Sequence, residues 1–152
     1  MILRLHQDRL AIAHNPSDAL ADEPAARQLL RRWTNHWDRH GIGYWAIQER
    51  TGPDVVGFCG IKIMTMHGRS VANLFYRLDP AYWGRGLAAE AASIAVDRAG
   101  AHSARPIVAR VRPENHASAR VAVKAGLVRV PDLDTHGEDG PDHVYAAGWP
   151  EP

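Results

Sequence analysis

A chain of 152 residues, 45% apolar and 23% charged, is long enough to bury a core of its own, which excludes a disordered chain and makes a disulfide or structural metal unnecessary for stability. Its formal net charge of +1 gives no electrostatic case for a nucleic-acid or membrane surface. The single cysteine, Cys59, excludes an internal disulfide and fits a reducing compartment.

The chain opens on Met1-Ile2-Leu3-Arg4-Leu5-His6, which lacks the apolar core and cleavage site of a signal peptide. No apolar run approaches the roughly 20 residues of a bilayer span, so a cytoplasmic protein is expected. From Glu23 to about Arg39, Leu29, Leu30, Trp33 and Trp37 recur at helical spacing and predict a helix capped by Asp22, with Pro24 in its first turn and Gly41 as its stop. Three strands follow, over Tyr44–Gln48, Val55–Met64 and Val71–Leu78. They are joined by turn-like segments at 51–54 and 67–70, so they form an antiparallel meander. In the third, Leu74, Tyr76 and Leu78 share one face, and Asn73, Phe75 and Arg77 the other. Cys59, among Val56, Gly57, Phe58 and Ile61, reads as a buried thiol.

The pattern then turns helical over Gly86–Ala99, with Gly100 expected to end it. It is extended over Ile107–Val111, and helical again over Asn115–Ala125, capped by Asn115 and stopped by Gly126. Leu127–Val130 and His143–Ala147 are late strands. The acidic stretch Asp132–Asp142, with its glycines and proline, reads as a loop. The result is one mixed α/β domain over residues 1–152, with helices packed on a central sheet. The strands at 71–78 and 107–111 should pair in parallel, or splay.

The chemistry gathers at the turn from the third strand into the 86–99 helix, Asp79-Pro80-Ala81-Tyr82-Trp83-Gly84-Arg85-Gly86-Leu87-Ala88-Ala89-Glu90-Ala91. Two glycines one residue apart let the backbone turn tightly and approach a ligand. The first helical turn offers unpaired N–H groups and the positive end of the helix dipole, an arrangement suited to phosphate, and Arg85 adds a charged donor. A tight turn with no ligand fits such a glycine pair equally well. Neither a nucleotide-triphosphate loop nor a dinucleotide fingerprint is present. No cysteine–histidine cluster is present, so no metal site is expected.

The run Tyr82–Ala91 resembles the cofactor motif of the GCN5-related N-acetyltransferase (GNAT) superfamily, in the branch of the ribosomal-protein N-terminal acetyltransferases. Trp83 stands at its first position, and Gly86 and Ala88 fit the pattern. Pro113-Glu114-Asn115-His116-Ala117-Ser118, followed by Lys124-Ala125-Gly126-Leu127, resembles the branch's second signature, with Leu127 for its usual phenylalanine. The segments at 41–47 and 56–60 match its earlier strands. The first strand of the family fold is missing or shortened here: either it is lost, or the start of the chain is misassigned, or Ile2–Leu5 is a short substitute. A lost strand would expose a sheet edge, so either a monomer or a homodimer is consistent.

The resemblance implies an acetyl-CoA-dependent N-acetyltransferase acting on a small-molecule amine or a peptide N-terminus. The implied cofactor-binding residues are Phe75, Arg77, Leu78, Trp83, Gly84, Arg85, Gly86, Leu87, Ala88, Ala89, Asn115 and Ser118. The diphosphate would sit on the N–H groups of Arg85–Ala89, and the pantetheine arm would pair with the main chain of Arg77 and Leu78. A main-chain N–H at Phe75 or Tyr76 would polarise the thioester, and Ser118 would protonate the departing thiolate. Asn115 and Ser118 also fit ordinary first-turn capping roles. Glu49, His67 and Glu90 qualify as general base by type alone. Trp33, Trp37 and Trp45 are core residues, any of which could line the amine pocket. A non-catalytic acyl-CoA-binding module of the same fold is the alternative reading.

Overall fold

The computed structural model describes residues 1–152. Its helices are α1 (Ile2–Gln7), α2 (Glu23–His40), α3 (Leu87–His102) and α4 (His116–Lys124). Its strands are β1 (Tyr44–Gln48), β2 (Val55–Met66), β3 (Arg69–Leu78), β4 (Ile107–Val111), β5 (Val128–Arg129), β6 (Thr135–Gly137) and β7 (Gly140–Ala147). They form a mixed seven-stranded sheet in the order β1-β2-β3-β4-β7-β5, with β6 paired on β7.

β1, β2 and β3 are the expected antiparallel meander. The β2–β3 turn is tighter than the composition of residues 67–70 suggested. His67 and Gly68 alone make it, at φ 48° and 72°, the geometry of a two-residue hairpin turn. The strands therefore pair to their ends, Met66 opposite Arg69. β3 and β4 both pair and splay. Only Ala72↔Ile107 and Asn73↔Val108 are in register; beyond them the two parallel strands part, and that gap organises the site.

Each helix has a local cause. The Asp22 carboxylate accepts from the Ala25 N–H at 3.0 Å, and α2 ends where Gly41 turns left-handed at φ 67°. The Asn115 side chain accepts from the Ser118 N–H at 3.1 Å to begin α4. α3 runs through Gly100 to His102 and stops at Ser103. A mid-helix glycine costs only about 1 kcal/mol, less than the packing of the turn around it supplies.

α3 and α4 cover one face of the sheet. Ala92, Ala95, Ala99 and Ala122 lie against Ile61, Leu74, Ala109 and Val111, the small helix residues letting helix and sheet approach closely. On the other face, Trp33 of α2 packs edge-on to Tyr44 and Phe58, with ring centroids 5.1 Å apart in both pairs. The Trp37 indole N–H donates to the Tyr44 carbonyl at 2.9 Å. A Cβ on Gly43 would fall 2.6 Å from the Trp37 ring, so the indole fits only over glycine. Leu30, expected on the buried face, is exposed. His36 packs inward instead, its Nε2 accepting from the Ile63 N–H at 2.9 Å.

Two further expectations change. Residues 2–5 are helical, not a substitute strand, and β1 lies at the edge of the sheet with β2 as its one neighbour. The 132–142 stretch is not a loop: β6 and β7 pair through Thr135↔Asp142, His136↔Pro141 and Gly137↔Gly140. Arg112 of the β4 end holds this hairpin by donating to the Asp139 and Pro141 carbonyls. β5 is also shorter than expected, at two residues.

Candidate active site

The parting of β3 from β4 leaves one edge of β3 without a partner strand. Strand alternation fixes which main-chain groups face it. The Ala72 N–H donates across to the Pro106 carbonyl at 2.9 Å, so Leu74, Tyr76 and Leu78 turn their main-chain groups the same way, into the gap. The Asp79 N–H donates to the Val56 carbonyl at 2.8 Å, which places Phe75 and Arg77 in the set facing β2. Of the residues expected to hold an extended ligand arm, Tyr76 and Leu78 therefore offer main-chain groups, and Arg77 does not. The Trp83 indole N–H takes the Leu78 carbonyl at 3.1 Å.

At the mouth of the gap the chain turns into α3 through Gly84 and Gly86, both at φ 76°. This left-handed conformation costs a residue with a Cβ roughly 1–2 kcal/mol. Gly86 is the N-cap and has no capping side chain. The first helical bond runs from the Glu90 N–H to the Gly86 carbonyl at 3.0 Å. No main-chain or side-chain acceptor meets the N–H groups of residues 84 to 89. Six successive donors at a helix start, with open space where a Cβ would stand on either glycine, make a cradle for an anion such as a diphosphate. The Arg85 guanidinium is turned away from this cradle. It pairs with Glu49 at 2.7 Å and lies over the Tyr82 ring at 5.0 Å, so the cradle's donors are main-chain groups.

Across the gap, α4 brings Ser118 to Tyr76. The Tyr76 hydroxyl donates to the Ser118 carbonyl at 2.7 Å, and the Ser118 Oγ lies 2.6 Å from the same phenol. A carbonyl only accepts, so the Ser118 hydroxyl is the donor in the second contact. Burial pushes the Tyr76 phenol up to about 12, against the opposing pull of its Ser118 hydrogen bond. The phenol therefore stays protonated through neutral pH.

Cradle, gap and hydroxyl pair open into one cleft of about 870 Å³ that continues to the opposite face of the sheet, under α1 and α2. Residues 1–128 match the family model of the acetyltransferase (GNAT) domain. The chain belongs to this family. Its enzymes use acetyl-CoA, and the free amides of the α3 start beside an open strand edge fit that molecule's diphosphate and pantetheine arm. The domain is accordingly an acetyltransferase (GNAT) domain.

The crystal structure of an acetyltransferase from Agrobacterium tumefaciens strain C58 is 25% identical and superposes with a TM-score of 0.73 over 96% of this chain and 82% of that one. A ribosomal-protein-alanine N-acetyltransferase from Brucella melitensis shares the fold, with a TM-score of 0.71 over 95% and 88% of the two chains at 16% identity. YkkB, an uncharacterized protein of Bacillus subtilis strain 168, is 29% identical over 107 residues. That match takes in 66% of this chain and 62% of YkkB, so the chain spans less than two thirds of that relative.

Against the GNAT frame, Phe75, Arg77, Leu78, Tyr76, Trp83, Gly84, Gly86, Leu87, Ala88, Ala89, Asn115 and Ser118 all line the cleft. Asn115 keeps its capping bond there. The Arg77 guanidinium is buried and paired with Asp18 at 2.6 Å. Of the indoles, Trp33 and Trp83 reach the cleft, and Trp37 and Trp45 do not. The three bases proposed by type all lie outside it. Glu49 is held by Arg85, His67 bonds the Leu133 carbonyl at the β2–β3 turn, and Glu90 is exposed on α3.

The structure brings forward His6 instead. It lines the cleft, is 3% exposed, and its Nδ1 donates to the Ile2 carbonyl at 2.8 Å. That bond fixes the tautomer and leaves the Nε2 lone pair without a protein partner. Burial, assisted by the charge of Arg77, holds the imidazole below its usual pKa against the Ile2 hydrogen bond. It is therefore neutral at physiological pH. No local pattern around residue 6 announces this, because the cleft wall is completed by residues distant in sequence.

Proposed function

We propose that residues 1–152 act as one catalytic domain that moves the acetyl group of acetyl-CoA directly onto the nitrogen of a primary amine. The observation that carries this reading is the unpaired run of amides from 84 to 89 at the mouth of the β3–β4 gap. Acetyl-CoA supplies the acetyl group as a thioester; the amine nitrogen gains the N–C bond as the C–S bond breaks. The open-edge N–H of Tyr76 is placed to donate to the thioester carbonyl, a contact worth several kcal/mol when charge develops there. The neutral His6 Nε2 accepts the proton that an ammonium substrate must lose before attack. The Tyr76–Ser118 hydroxyl pair, on the far face of the same strand, returns a proton to the departing sulfur. The nitrogen of an ammonium loses two protons in all, one before attack and one once the N–C bond has formed; the sulfur gains one through the hydroxyl pair, and the net second proton is released to solvent.

Thiol release from acetyl-CoA, followed across a panel of primary amines, tests the reading. Amine-dependent release with formation of the N-acetyl product is expected. Tight acetyl-CoA binding with no release for any amine would leave a binding module and contradict the transfer.

A further inference from the structure

The floor of the acceptor side is the sheet face that carries Lys62, Asn73, Arg77, Arg110 and Arg112, and all five line the cleft. Register brings three of them into a row. Lys62 stands opposite Asn73 across β2–β3. Asn73 stands opposite Val108, two residues before Arg110. Arg110 therefore lies just past the last β3–β4 pair, where the strands part.

The charges in this chamber are unequally satisfied. Arg77 is held by Asp18 at 2.6 Å. Arg112 is spent on the β6–β7 hairpin, with Asp142 3.8 Å away. The Asp139 carboxylate accepts from the Ser17 N–H at 3.0 Å and from its hydroxyl at 2.5 Å. The acids that line the chamber are thus engaged, apart from exposed Glu138 at the hairpin tip. Lys62 and Arg110 make no ion pair. Arg110 is nevertheless oriented: its Nε donates to the Asn73 Oδ1 at 3.2 Å, and Asn73 is 6% exposed. A buried amide grips one edge of the guanidinium and leaves its two terminal nitrogens for a ligand, the fork that matches a carboxylate or phosphonate.

Resting on the transfer proposed above, we infer that the acceptor is a small primary amine carrying its own anionic group, of the amino carboxylate or amino phosphonate class. Arg110, steadied by Asn73 and seconded by Lys62, binds that anion so that the amine faces the point where β3 and β4 part. The same two cations disfavour a polyamine or other polycationic acceptor, whose charges would meet Lys62 and Arg110, with Asp142 near Arg110 already engaged by Arg112.

The test is a thiol-release panel of free amino acids, the same amino acids as carboxamides, 2-aminoethylphosphonate and spermidine. Free acids or the phosphonate should exceed the matched carboxamide at least 30-fold in kcat/KM, and spermidine should be inert; the carboxylate and phosphonate arms separate the two sources of anion. Arg110→Met should raise KM for the best anionic amine 10- to 100-fold, with acetyl-CoA affinity unchanged, and Lys62→Met should act in the same direction by less. Equal use of acid and carboxamide, turnover of spermidine, an unaltered KM in Arg110→Met, or turnover of the carboxamides but of no anionic amine would each overturn the inference. Failure to bind acetyl-CoA, or binding with turnover of no amine at all, would instead overturn the transfer reading itself.

Discussion

Gly86 offers the sharpest test of the anion cradle, because the same position separates backbone strain from charge. At φ 76° any residue with a Cβ pays roughly 1–2 kcal/mol for the left-handed conformation. The space beyond is open, with no atom within 4 Å of an added Cβ, so no clash is added to that strain. Gly86→Ala should therefore lower the melting temperature by a few degrees and change acetyl-CoA affinity little. Gly86→Glu carries the same strain and adds a carboxylate. Two phosphate charges about 6 Å from it, at an effective dielectric constant of about 20–40, are opposed by about 3–5 kcal/mol. The site is open to solvent, so the lower figure applies, a loss of about 100-fold in Kd. Calorimetric titration of both variants with acetyl-CoA at two salt concentrations reads the difference, which should shrink as salt rises. If Gly86→Glu bound within threefold of Gly86→Ala, the diphosphate would not be where the free amides point.

Three further outcomes follow from contacts already described. Tyr76→Phe removes the phenol that holds the Ser118 carbonyl and hydroxyl; kcat should fall about 10- to 100-fold, with acetyl-CoA affinity retained, in steady-state assays. An unchanged kcat would release the hydroxyl pair from its role. Gly43→Ala drives a methyl into the Trp37 ring and should cost about 1–3 kcal/mol, read as a melting temperature lower by several degrees; wild-type stability would show that α2 can shift. The third concerns pH. His6 and His36 both have pKa values lowered chiefly by burial, so the unfolded chain binds more protons and stability rises with pH. The contribution is complete above the unfolded value near 6.5 and is lost as pH falls through the lower folded values. Asp142, whose carboxyl is pushed up by burial, runs the other way. The informative quantity is therefore the difference between wild type and His36→Gln in melts from pH 5 to 8. A parallel pair of curves would remove the Ile63 N–H bond to His36 from the explanation.

The half of the cleft proposed to take the cofactor has a geometry that was legible in the sequence, because it is local. Gly84 and Gly86 meet a backbone demand within three residues, and Asn115 and Ser118 sit one helical turn apart, so a reader of the chain sees the geometry directly. The other half was not legible, since Asn73, Arg110 and Asp142 meet only through the sheet register and His6 arrives on α1, so no spacing along the chain encodes them. Other misses have similarly plain causes. Gly100 looked like a helix stop, but its small penalty is carried by the packing of α3. The 132–142 stretch has the composition of a loop, yet its hairpin is held by Arg112, an element away. Arg85, adjacent to the cradle in sequence, was expected to bind phosphate, but Glu49 from the end of β1 captures it, a partner that only the fold brings near.

The central claim is that the amides at the start of α3 bind the diphosphate while the open edge of β3 receives the arm. Backbone NMR of the isotopically labelled protein during titration with acetyl-CoA reads those amides one by one. The largest shifts should fall on residues 84–89, followed by Tyr76 and Leu78, with Phe75 and Arg77 amides moving less. Saturable binding that left the 84–89 amides unmoved would contradict the assignment of the site.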